Sequence, residues 1–519
     1  MIMQKTVGPV VLVVLDGWGA APESESNPFE LSKLPTFKKL YSEGENSRLW
    51  AHGGYVGLLK DQDGNSEAGH LNIGAGRVVK QDPVIISESI EDGTFFKNPA
   101  LIEAIQHVKR NNSNMHLFGM LSDGQSAHST PEHLYTLLDF VHKEKLDKVF
   151  VHLFTDGRDS GPHAGDNLLK DVQKNLKPEQ KIATIMGRFY AMDRKKEWSR
   201  TEKAYNSLVL GEGKKVANAE QVFELSYKNN ITDEYIEPHI IYQDDKPIVT
   251  VEDNDSIIFF NHRSDRARQL TKVFVQEDFE KKNPGSFVPK KKIKNLRFVA
   301  MTDFGPDLGD VLTAYPSIDI QQTLPVVLSE KRQIYIAESE KYAHMTYFFN
   351  GGFADPVGGE ERVMIPSPNV RNYSETPGMS TNAITEKIVS SITENSHDFI
   401  AANIACTDMI GHTGSFKSAQ ESLQVADVSL LKIINAVEKK DGVLILTSDH
   451  GNIEEMKDPS KQEEDTEHSK NQVPFIVWSK NKKISKLRQE GVLADIAPTI
   501  IDLFGLSKPD EMTGKSLFI

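Results

Sequence analysis

Cysteine is almost absent from this sequence, which has only Cys406 among its 519 residues. A single thiol cannot form a disulfide within the chain, so the sequence excludes an internal disulfide framework. A lone cysteine is also typical of proteins from a reducing compartment. We therefore expect a cytoplasmic protein.

Long hydrophobic runs are missing as well. The longest, Val10–Leu15, is ended by Asp16, whereas a membrane-spanning helix needs about 20 apolar residues. The beginning of the chain has no basic stretch followed by a long apolar stretch and a cleavage site, so we expect no signal peptide. We expect no membrane partner.

An excess of positive charge is the third absence. The chain has 60 Lys and Arg residues against 74 Asp and Glu residues, which gives a net charge of −14. Nucleic-acid binders usually have the opposite balance, so we expect no nucleic-acid partner. An anionic substrate would need a local basic cluster in this acidic background.

Short β-rich runs recur along the chain, and most of them are followed by a helical pattern. Alternating buried strands and helices predict an α/β protein with mostly parallel sheets. A chain of this length also exceeds one ordinary core, so we predict two domains. The runs are Val10–Leu15, Met115–Leu121, Val149–Phe154, Ile182–Met186, Ser256–Phe260, Leu296–Met301, Gln333–Ala337, Phe399–Ala405, Val443–Thr447 and Pro474–Trp478.

Polar residues follow many of these runs directly, where ligands bind in open α/β sheets. The candidate metal ligands among the aspartates and histidines lie in about the first 70 and last 120 residues, whereas the candidate anion-binding arginines lie between Arg158 and Arg266. We therefore predict a metal-binding domain of residues 1–80 and 313–519, interrupted by an inserted domain of residues 81–312.

The aspartates and histidines form a candidate metal site. Asp408 and His412 have i, i+4 spacing, which places both side chains on one face of a helix or turn. A single aspartate after a strand is more often a turn former, and a single histidine in a charged loop is more often a surface residue. The full set predicts two metal ions and suits Mn²⁺, Zn²⁺ or Co²⁺ better than Mg²⁺. Its other members are Asp16, Asp449, His450 and His468.

Ser66 is the candidate nucleophile, within the glycine-rich segment Asp63–Gly76. A serine at a helix N-terminus lies where free N–H groups and the helix dipole stabilise an anionic oxygen. The alternative is that Ser66 is only the N-cap of the helix. Activation by a metal ion would favour the nucleophile, so this prediction depends on the metal site.

The arginines form a candidate anion site, because planar guanidinium groups bind phosphate and carboxylate in a bidentate manner. Each arginine alone is more often part of a surface ion pair. The members are Arg158, Arg188, Arg194, Arg263 and Arg266, with Asp159 beside the first. His128 is a candidate proton donor or acceptor. Lys341, just past another strand, could reach a transferring phosphoryl group.

Nine motifs in order along the chain resemble those of the cofactor-independent phosphoglycerate mutases, within the alkaline phosphatase superfamily. The resemblance covers nearly the whole chain. The motifs are Val14–Gly19, Asp63–His70, Thr155–Asp159, Gly187–Arg194, Glu340–His344, Asp408–Gly414, Thr447–Asn452, Asp495–Thr499 and Met512–Ser516.

The resemblance implies an alkaline-phosphatase-like metal domain with a mostly parallel sheet and an inserted α/β domain. It also implies a cytoplasmic, monomeric isomerase that interconverts 3-phosphoglycerate and 2-phosphoglycerate without a bisphosphoglycerate cofactor. Ser66 would be the nucleophile that becomes a phosphoserine, and Lys341 would stabilise the phosphoryl group during its transfer.

The resemblance further implies a ligand set for each of two divalent ions, with Mn²⁺ expected and Mg²⁺, Co²⁺ or Zn²⁺ as alternatives. One ion would be held by Asp408, His412 and His468, and the other by Asp16, Ser66, Asp449 and His450. The remaining residues would bind the glycerate, namely His128, Arg158, Asp159, Arg188, Arg194, Arg263 and Arg266, with Lys341 on the phosphoryl group.

The sequence departs from the family pattern at three places. Gly124–His128 has one extra residue, His262 replaces the aromatic residue that usually precedes Arg263, and His468 has unusual neighbours. Two alternatives remain open at this point. One is a metal-dependent phosphatase or another phosphosugar mutase of the same superfamily, and the other is a noncatalytic, metal-stabilised binding module.

Overall fold

The computed structural model describes residues 8–22, 27–317, 319–457 and 464–519. The chain divides into two compact units. The first consists of Met1–Gln81 and Ile318–Ile519, and the second consists of Asp82–Ser317. Each unit contains one extended sheet with helices beside it.

The sheet of the first unit has eight strands in the order β13-β12-β14-β1-β15-β16-β2-β17. The pairs on the β13 side, up to β1 and β15, are parallel, whereas β16 is antiparallel to both of its neighbours. The strands are β1 (Val10–Leu15), β2 (Glu45–Trp50), β12 (Gln333–Glu338), β13 (Glu361–Ile365), β14 (Phe399–Ile404), β15 (Val443–Thr447), β16 (Val473–Trp478) and β17 (Glu490–Val492).

The sheet of the second unit has nine strands in the order β11-β10-β9-β3-β4-β5-β7-β6, with β8 paired to β7. Its pairs are parallel except those of β7 with β5 and with β8. The strands are β3 (Met115–Leu121), β4 (Val149–Thr155), β5 (Gln180–Gly187), β6 (Lys214–Val216), β7 (His239–Gln243), β8 (Lys246–Pro247), β9 (Ser256–Phe259), β10 (Arg297–Thr302) and β11 (Leu312–Tyr315).

The helices begin where the sequence has starting signals. Pro35, Pro99 and Pro131 each occupy the first turn of a helix, where the missing N–H group costs nothing. The helices of the first unit are α1 (Pro28–Leu31), α2 (Pro35–Glu43), α3 (Ser66–Ala75), α13 (Leu324–Val327), α14 (Thr381–Thr393), α15 (Cys406–Gly411), α16 (Phe416–Lys439) and α17 (Ile496–Leu503). Those of the second unit are α4 (Asp82–Glu91), α5 (Pro99–Asn111), α6 (Pro131–Lys143), α7 (Gly165–Asn175), α8 (Arg188–Ala191), α9 (Trp198–Leu210), α10 (Glu220–Lys228), α11 (Ser264–Val275) and α12 (Phe279–Lys282).

Both sheets are buried on two faces, as their apolar strands require. In β1, Val10 and Leu12 belong to the core on one face, and Val11 and Val13 belong to the core on the other. The second unit has the same arrangement, because Leu117 and Phe118 of β3 lie in different cores. The strand ends are therefore held by packing from both sides.

The prediction of a mixed α/β fold with mostly parallel strands is confirmed. The expectation of parallel pairing is wrong for Pro474–Trp478, because that run lies in the antiparallel β16. The units divide one residue after the predicted 80/81 crossover and five residues after the predicted 312/313 crossover. The second difference arises because β11 pairs with β10 and so belongs to the sheet of the second unit.

None of the helices in the described ranges combines the length with the hydropathy that a membrane crossing requires.

Candidate active site

Three neighbouring strands of the first unit bring ionisable side chains to one edge of the sheet. Asp16 follows β1, Asp408 lies in α15 directly after β14, and Asp449 and His450 follow β15. Strand β1 is parallel to both β14 and β15, so the carboxyl ends of the three strands meet at the same edge. All four side chains are buried.

Ser66 is the first residue of α3, and its hydroxyl points at this group. The N-cap of the helix is Asn65, whose Oδ1 accepts a hydrogen bond from the backbone N–H of Ala68. The alternative that Ser66 itself is the N-cap is therefore wrong. The Ser66 hydroxyl donates to Oδ1 of Asp16 at 3.3 Å and lies 2.9 Å from Nε2 of His450.

Two glycines allow this close assembly. Gly17 adopts a left-handed conformation with φ of 68°, and a Cβ there would lie 2.8 Å from Cβ of Asp408. Gly69, on α3, faces Asp449 so closely that a Cβ would lie 2.6 Å from its carbonyl oxygen. Only glycine fits the first backbone turn without strain, and only glycine brings α3 this close to the loop after β15.

His412 and His468 form a second part of the site, with their Nε2 atoms only 3.0 Å apart. Nδ1 of His412 donates to the carbonyl oxygen of Thr466, and Nδ1 of His468 donates to that of Gly64, both at 2.7 Å. With Nδ1 donating, the Nε2 atom of each ring is the one that can offer a lone pair to a cation. Oδ1 of Asp408 lies 3.4 and 3.3 Å from the two Nε2 atoms.

Lys341 is the one ammonium group among these carboxylates in the described part of the site. Its Nζ donates to Oδ1 of Asp16 at 2.8 Å, to Oδ2 of Asp408 at 2.6 Å and to Oγ of Ser66 at 2.8 Å. Burial alone would lower the pKa of Lys341, but Asp16, Asp408 and Asp449 raise it overall. The lysine is therefore charged and compensates only part of the negative charge.

The pKa values of Asp16 and His450 are shifted by burial and by the charged groups around them. Burial raises the pKa of Asp16 to about 7, and the carboxylates of Asp449 and Asp408 act in the same direction. Burial also lowers the pKa of His450 to about 3, so its imidazole is neutral at neutral pH. The site thus combines several buried carboxylates with the neutral imidazole of His450.

The donor set fits divalent cations. The ligand-type atoms of Asp408, His412 and His468 lie within 4.8 Å of one another, as do those of Asp16, Asp408 and His450 and those of Asp16, His70 and Asp449. Oδ2 of Asp449 is buried and lies 3.3 Å from Nδ1 of His70 and 3.4 Å from Nε2 of His450. Lone pairs that face one another and several buried carboxylates in one place are costly unless a cation lies between them. Mixed carboxylate and imidazole ligands suit Mn²⁺, Co²⁺ or Zn²⁺.

The arginines predicted to bind an anion all lie in the second unit, and Arg188 is one of them. This side chain is buried and forms ion pairs with Asp156 and, at 2.8 Å, with Oδ2 of Asp159. Ser126 donates a hydrogen bond to the same oxygen of Asp159 at 2.6 Å. Nε of Arg188 is buried without a hydrogen-bond partner among the described residues. One face of the guanidinium is thus fixed, and one N–H group is available for a ligand.

The other arginines lie close enough to influence one another. The pKa of Arg266 is lowered by burial and by the nearby cations Arg188, Arg194 and Arg158. Asp265 offsets part of this charge, because it pairs with Arg194 at 2.6 Å and lies 3.7 Å from Nε of Arg263. Clustered guanidinium groups with so few carboxylates are suited to an anion with several oxygens.

His128 lies beside this cluster. Burial lowers its pKa to about 4, with Asp265 acting in the opposite direction and Arg188 and Arg263 lowering it further. Nδ1 of His128 is buried and has no hydrogen-bond partner among the described residues. The imidazole is therefore neutral at neutral pH and can accept or donate a proton.

The predicted residues thus fall into two groups, one in each unit. The first unit brings together Asp16, Ser66, Lys341, Asp408, His412, Asp449, His450 and His468. The second unit contains His128, Arg158, Asp159, Arg188, Arg194, Arg263 and Arg266.

Known families match both units. Residues 86–306 match the family described as BPG-independent PGAM N-terminus, and residues 409–506 match the family described as Sulfatase. The curated 2,3-bisphosphoglycerate-independent phosphoglycerate mutase of Clostridium novyi (strain NT) is 44% identical over 514 residues, which are 98% of this chain and 99% of that relative. The enzyme of the same name from Moorella thermoacetica is 42% identical over 516 residues, which are 98% of each chain.

The chain belongs to the 2,3-bisphosphoglycerate-independent phosphoglycerate mutase family. It is therefore an enzyme of the isomerase class. The fold agrees, because a crystal structure of Leishmania mexicana phosphoglycerate mutase at low cobalt concentration covers 100% of both chains with a TM-score of 0.76 and 27% identity. The first unit has the alkaline-phosphatase-like fold, and the second is the inserted domain.

Three residues of this mutase-family site were not predicted from the sequence. His70 lies four residues after Ser66 on α3, and its Nδ1 is 2.9 Å from the Ser66 carbonyl oxygen. Asn403 donates to Oδ2 of Asp16 at 2.6 Å, and Asn452 donates to Oδ1 of Asp408 at 3.0 Å. The i, i+4 spacing of His70 from Ser66 and the polar Asn403 in an apolar strand were the available signals.

Proposed function

We propose that the protein interconverts 3-phosphoglycerate and 2-phosphoglycerate through a phosphoserine on Ser66, without a bisphosphoglycerate cofactor. The observation that carries the proposal is the position of the Ser66 hydroxyl, within 3.3 Å of Asp16, His450 and Lys341. A serine oxygen among buried cationic and metal-binding groups can be activated and can receive a phosphoryl group. Family membership and the arginine cluster of the second unit support the choice of substrate.

Two divalent ions would be held by the site of the first unit. Asp408, His412 and His468 would bind one ion, and the other would be bound by Asp16, Ser66, Asp449 and His450. We propose Mn²⁺, because these ligands mix oxygen and nitrogen. When bound, such ions favour the serine alkoxide and offset the charge of phosphoryl oxygens.

The transfer requires two balanced steps. The Ser66 hydroxyl first loses its proton, and its oxygen attacks the phosphorus of 3-phosphoglycerate, so that the P–Oγ bond forms. The bond from phosphorus to the substrate oxygen breaks, and that oxygen takes up a proton. The 2-hydroxyl then loses a proton and attacks the phosphoserine, which breaks the P–Oγ bond. The proton that the 3-oxygen takes up in the first step is balanced by the proton that the 2-hydroxyl loses in the second. The Ser66 oxygen returns to its starting state when the P–Oγ bond breaks.

We assign the remaining roles from the positions of the side chains. Lys341, 2.8 Å from the Ser66 oxygen, would stabilise negative charge on the phosphoryl group. His128 would carry the proton between the two substrate oxygens, since it is neutral and its Nδ1 has no partner among the described residues. The glycerate carboxylate and hydroxyls would be bound by Arg158, Asp159, Arg188, Arg194, Arg263 and Arg266.

We also propose that the protein acts in glycolysis and gluconeogenesis as a cytoplasmic monomer. The single buried Cys406 is consistent with a reducing compartment. Light scattering coupled to gel filtration measures the oligomeric state, and a mass of about twice 58 kDa would reject the monomer.

Phosphorus NMR of the Mn²⁺-loaded enzyme with 3-phosphoglycerate tests the proposal. We expect a 2-phosphoglycerate signal that grows to equilibrium with little inorganic phosphate. Ser66→Ala should abolish the conversion, whereas the control Ser429→Ala, which removes a buried hydroxyl outside the site, should not. Release of phosphate without 2-phosphoglycerate would instead indicate a phosphatase, and an unchanged spectrum would refute the proposal.

A further inference from the structure

Two buried histidines of the second unit form a hydrogen-bonded chain that the proposed mechanism does not use. Nδ1 of His133 lies 2.8 Å from Nε2 of His262, and Nε2 of His133 lies 2.8 Å from the hydroxyl of Ser87. His133 is 1% exposed and His262 is 3% exposed. We call Ser87, His133 and His262 the histidine chain.

The histidine chain joins two segments that contain predicted substrate-binding residues. His133 lies on α6, five positions after His128. His262 directly precedes Arg263, which is the N-cap of α11. The backbone N–H of His262 donates to the carbonyl oxygen of His128 at 2.9 Å. The two segments are therefore connected once by backbone and once by side chains.

A third bond fixes the same position from the neighbouring strand. The hydroxyl of Thr302, at the end of β10, donates to the carbonyl oxygen of His262 at 2.6 Å. His262 thus has both backbone polar groups and one ring nitrogen engaged. Its peptide cannot rotate without breaking several buried hydrogen bonds, which is costly in a dry interior.

Both rings of the histidine chain are neutral at neutral pH. Burial lowers the pKa of His133 to about 4, and burial together with His133 and His128 lowers the pKa of His262 well below its ordinary range. A neutral imidazole has one donor and one acceptor nitrogen, so each ring can satisfy its partner in a single direction along the chain. The hydrogen bonds of the histidine chain therefore hold the two rings in place, and they do not form an ion pair.

We propose that His133 and His262 are positioning residues that set the spacing between His128 and Arg263, and thereby the affinity of the arginine cluster for its substrate. This inference rests on the proposed function. His262 is hydrogen-bonded through its backbone to His128 and directly precedes Arg263, so its position links the two groups.

His262→Phe and His262→Gln separate positioning from simple packing. Phenylalanine fills a similar volume but leaves Nδ1 of His133 unpaired, whereas glutamine keeps a polar atom near the lost Nε2. For the full-length Mn²⁺-loaded enzyme we expect His262→Phe to raise the KM for 3-phosphoglycerate about tenfold with kcat changed by less than about threefold. His262→Gln should restore most of the affinity.

The matched control is a second buried histidine pair of the second unit, on the neighbouring strands β3 and β4. Nδ1 of His116 lies 2.9 Å from Nε2 of His152, which also contacts Thr184. His152→Leu should lower the midpoint of thermal unfolding but leave KM unchanged. If it raised KM as much as His262→Phe, the effect would be general destabilisation and the positioning role would be refuted.

A milder variant covers the possibility that His262→Phe does not fold. Ser87→Ala removes one partly buried hydroxyl at the end of the chain, and we expect KM to rise about two- to threefold. The inference would be overturned if both Ser87→Ala and His262→Phe had the wild-type KM. If His262→Phe does not fold, a wild-type KM in Ser87→Ala would overturn it. Failure of the proposed function is distinguishable, because the wild-type enzyme itself would then give no 2-phosphoglycerate.

Discussion

Lys341 lies at the centre of the candidate active site and contacts Asp16, Asp408 and Ser66 within 2.8 Å. Its ammonium group has two consequences at the residue scale. It offsets part of the charge of the buried carboxylates, and it provides a positive group beside the oxygen that we propose receives the phosphoryl group.

Replacing this lysine should affect the metal-free protein most. We expect Lys341→Met to lower the free energy of unfolding of the chelator-treated protein by about 3 kcal/mol, because the buried carboxylates lose their cation. Urea unfolding in the presence and absence of Mn²⁺ measures the effect, and Lys432→Met on the exposed face of α16 is the control. Equal stability of the metal-free variant and wild type would contradict this electrostatic role.

His468 provides a test of the ligand assignment. Its Nε2 faces Nε2 of His412 at 3.0 Å and Oδ1 of Asp408 at 3.3 Å. We expect His468→Ala to weaken one of two Mn²⁺ binding events by at least about tenfold in a calorimetric titration, since a ligand is lost. The exposed His142→Ala serves as the control. Two unchanged binding events in His468→Ala would remove this histidine from the site.

The sequence predicted the residues that lie at strand ends better than those that support them. Asp16, Asp408 and Asp449 could be predicted because each follows an apolar run whose end is easily located. Asn403 lies inside such a run, and its contact with Asp16 depends on the order of the strands in the sheet. That order involves residues almost 400 positions apart, which local patterns do not encode.

At the scale of elements, α2 depends on a distant residue for its start. Its N-cap position, Leu34, provides no side-chain hydrogen bond. The carboxylate of Asp427, from the middle of α16, instead accepts the backbone N–H groups of Thr36 at 3.1 Å and Phe37 at 2.7 Å. A buried carboxylate at a helix N-terminus also interacts favourably with the helix dipole.

Removing this carboxylate should destabilise the first unit. We expect Asp427→Ala to lower the free energy of unfolding by about 1–2 kcal/mol, the usual cost of losing a helix cap. Urea denaturation followed by circular dichroism measures it. Glu421→Ala, which removes an exposed carboxylate from the same helix, should change little. If both substitutions had the same small effect, the cap would contribute nothing.

The strands that the sequence analysis did not predict are mostly short and lie at or near a sheet edge. Glu45–Trp50 contains only two strongly apolar residues, and Lys214–Val216 has a single buried residue. Neither has the continuous apolar run that identifies the central strands. β6 lies at the edge of its sheet, and β2 lies next to the edge strand β17, where the sheet is only partly covered. The direction of β16 was also inaccessible, since strand composition does not encode orientation.

At the scale of the whole molecule, buried neutral histidines make stability depend on pH. His133, which faces Ser87 and His262, has a pKa lowered from 6.5 to about 4 in the folded protein. The unfolded chain therefore binds more protons than the folded one between these values. The contribution to stability is complete above about pH 6.5 and is lost as the pH falls towards 4.

We therefore expect acid sensitivity that depends on this residue. From pH 7 to pH 5 the free energy of unfolding should fall by roughly 1–2 kcal/mol through His133 alone. Urea unfolding at several pH values measures the slope, which should be smaller in His133→Leu than in wild type. The control His142→Ala, an exposed histidine, should keep the wild-type slope. An equally steep slope in His133→Leu would show that His133 binds protons equally in both states.

Acid quenching of the Mn²⁺-loaded enzyme during turnover of 3-phosphoglycerate, followed by peptide mass spectrometry, tests the central claim most directly. The account predicts the added mass of one phosphate group on Ser66, and no such peptide in Ser66→Ala. Continued formation of 2-phosphoglycerate with Ser66 unmodified at every quench time, or by the Ser66→Ala variant, would contradict it.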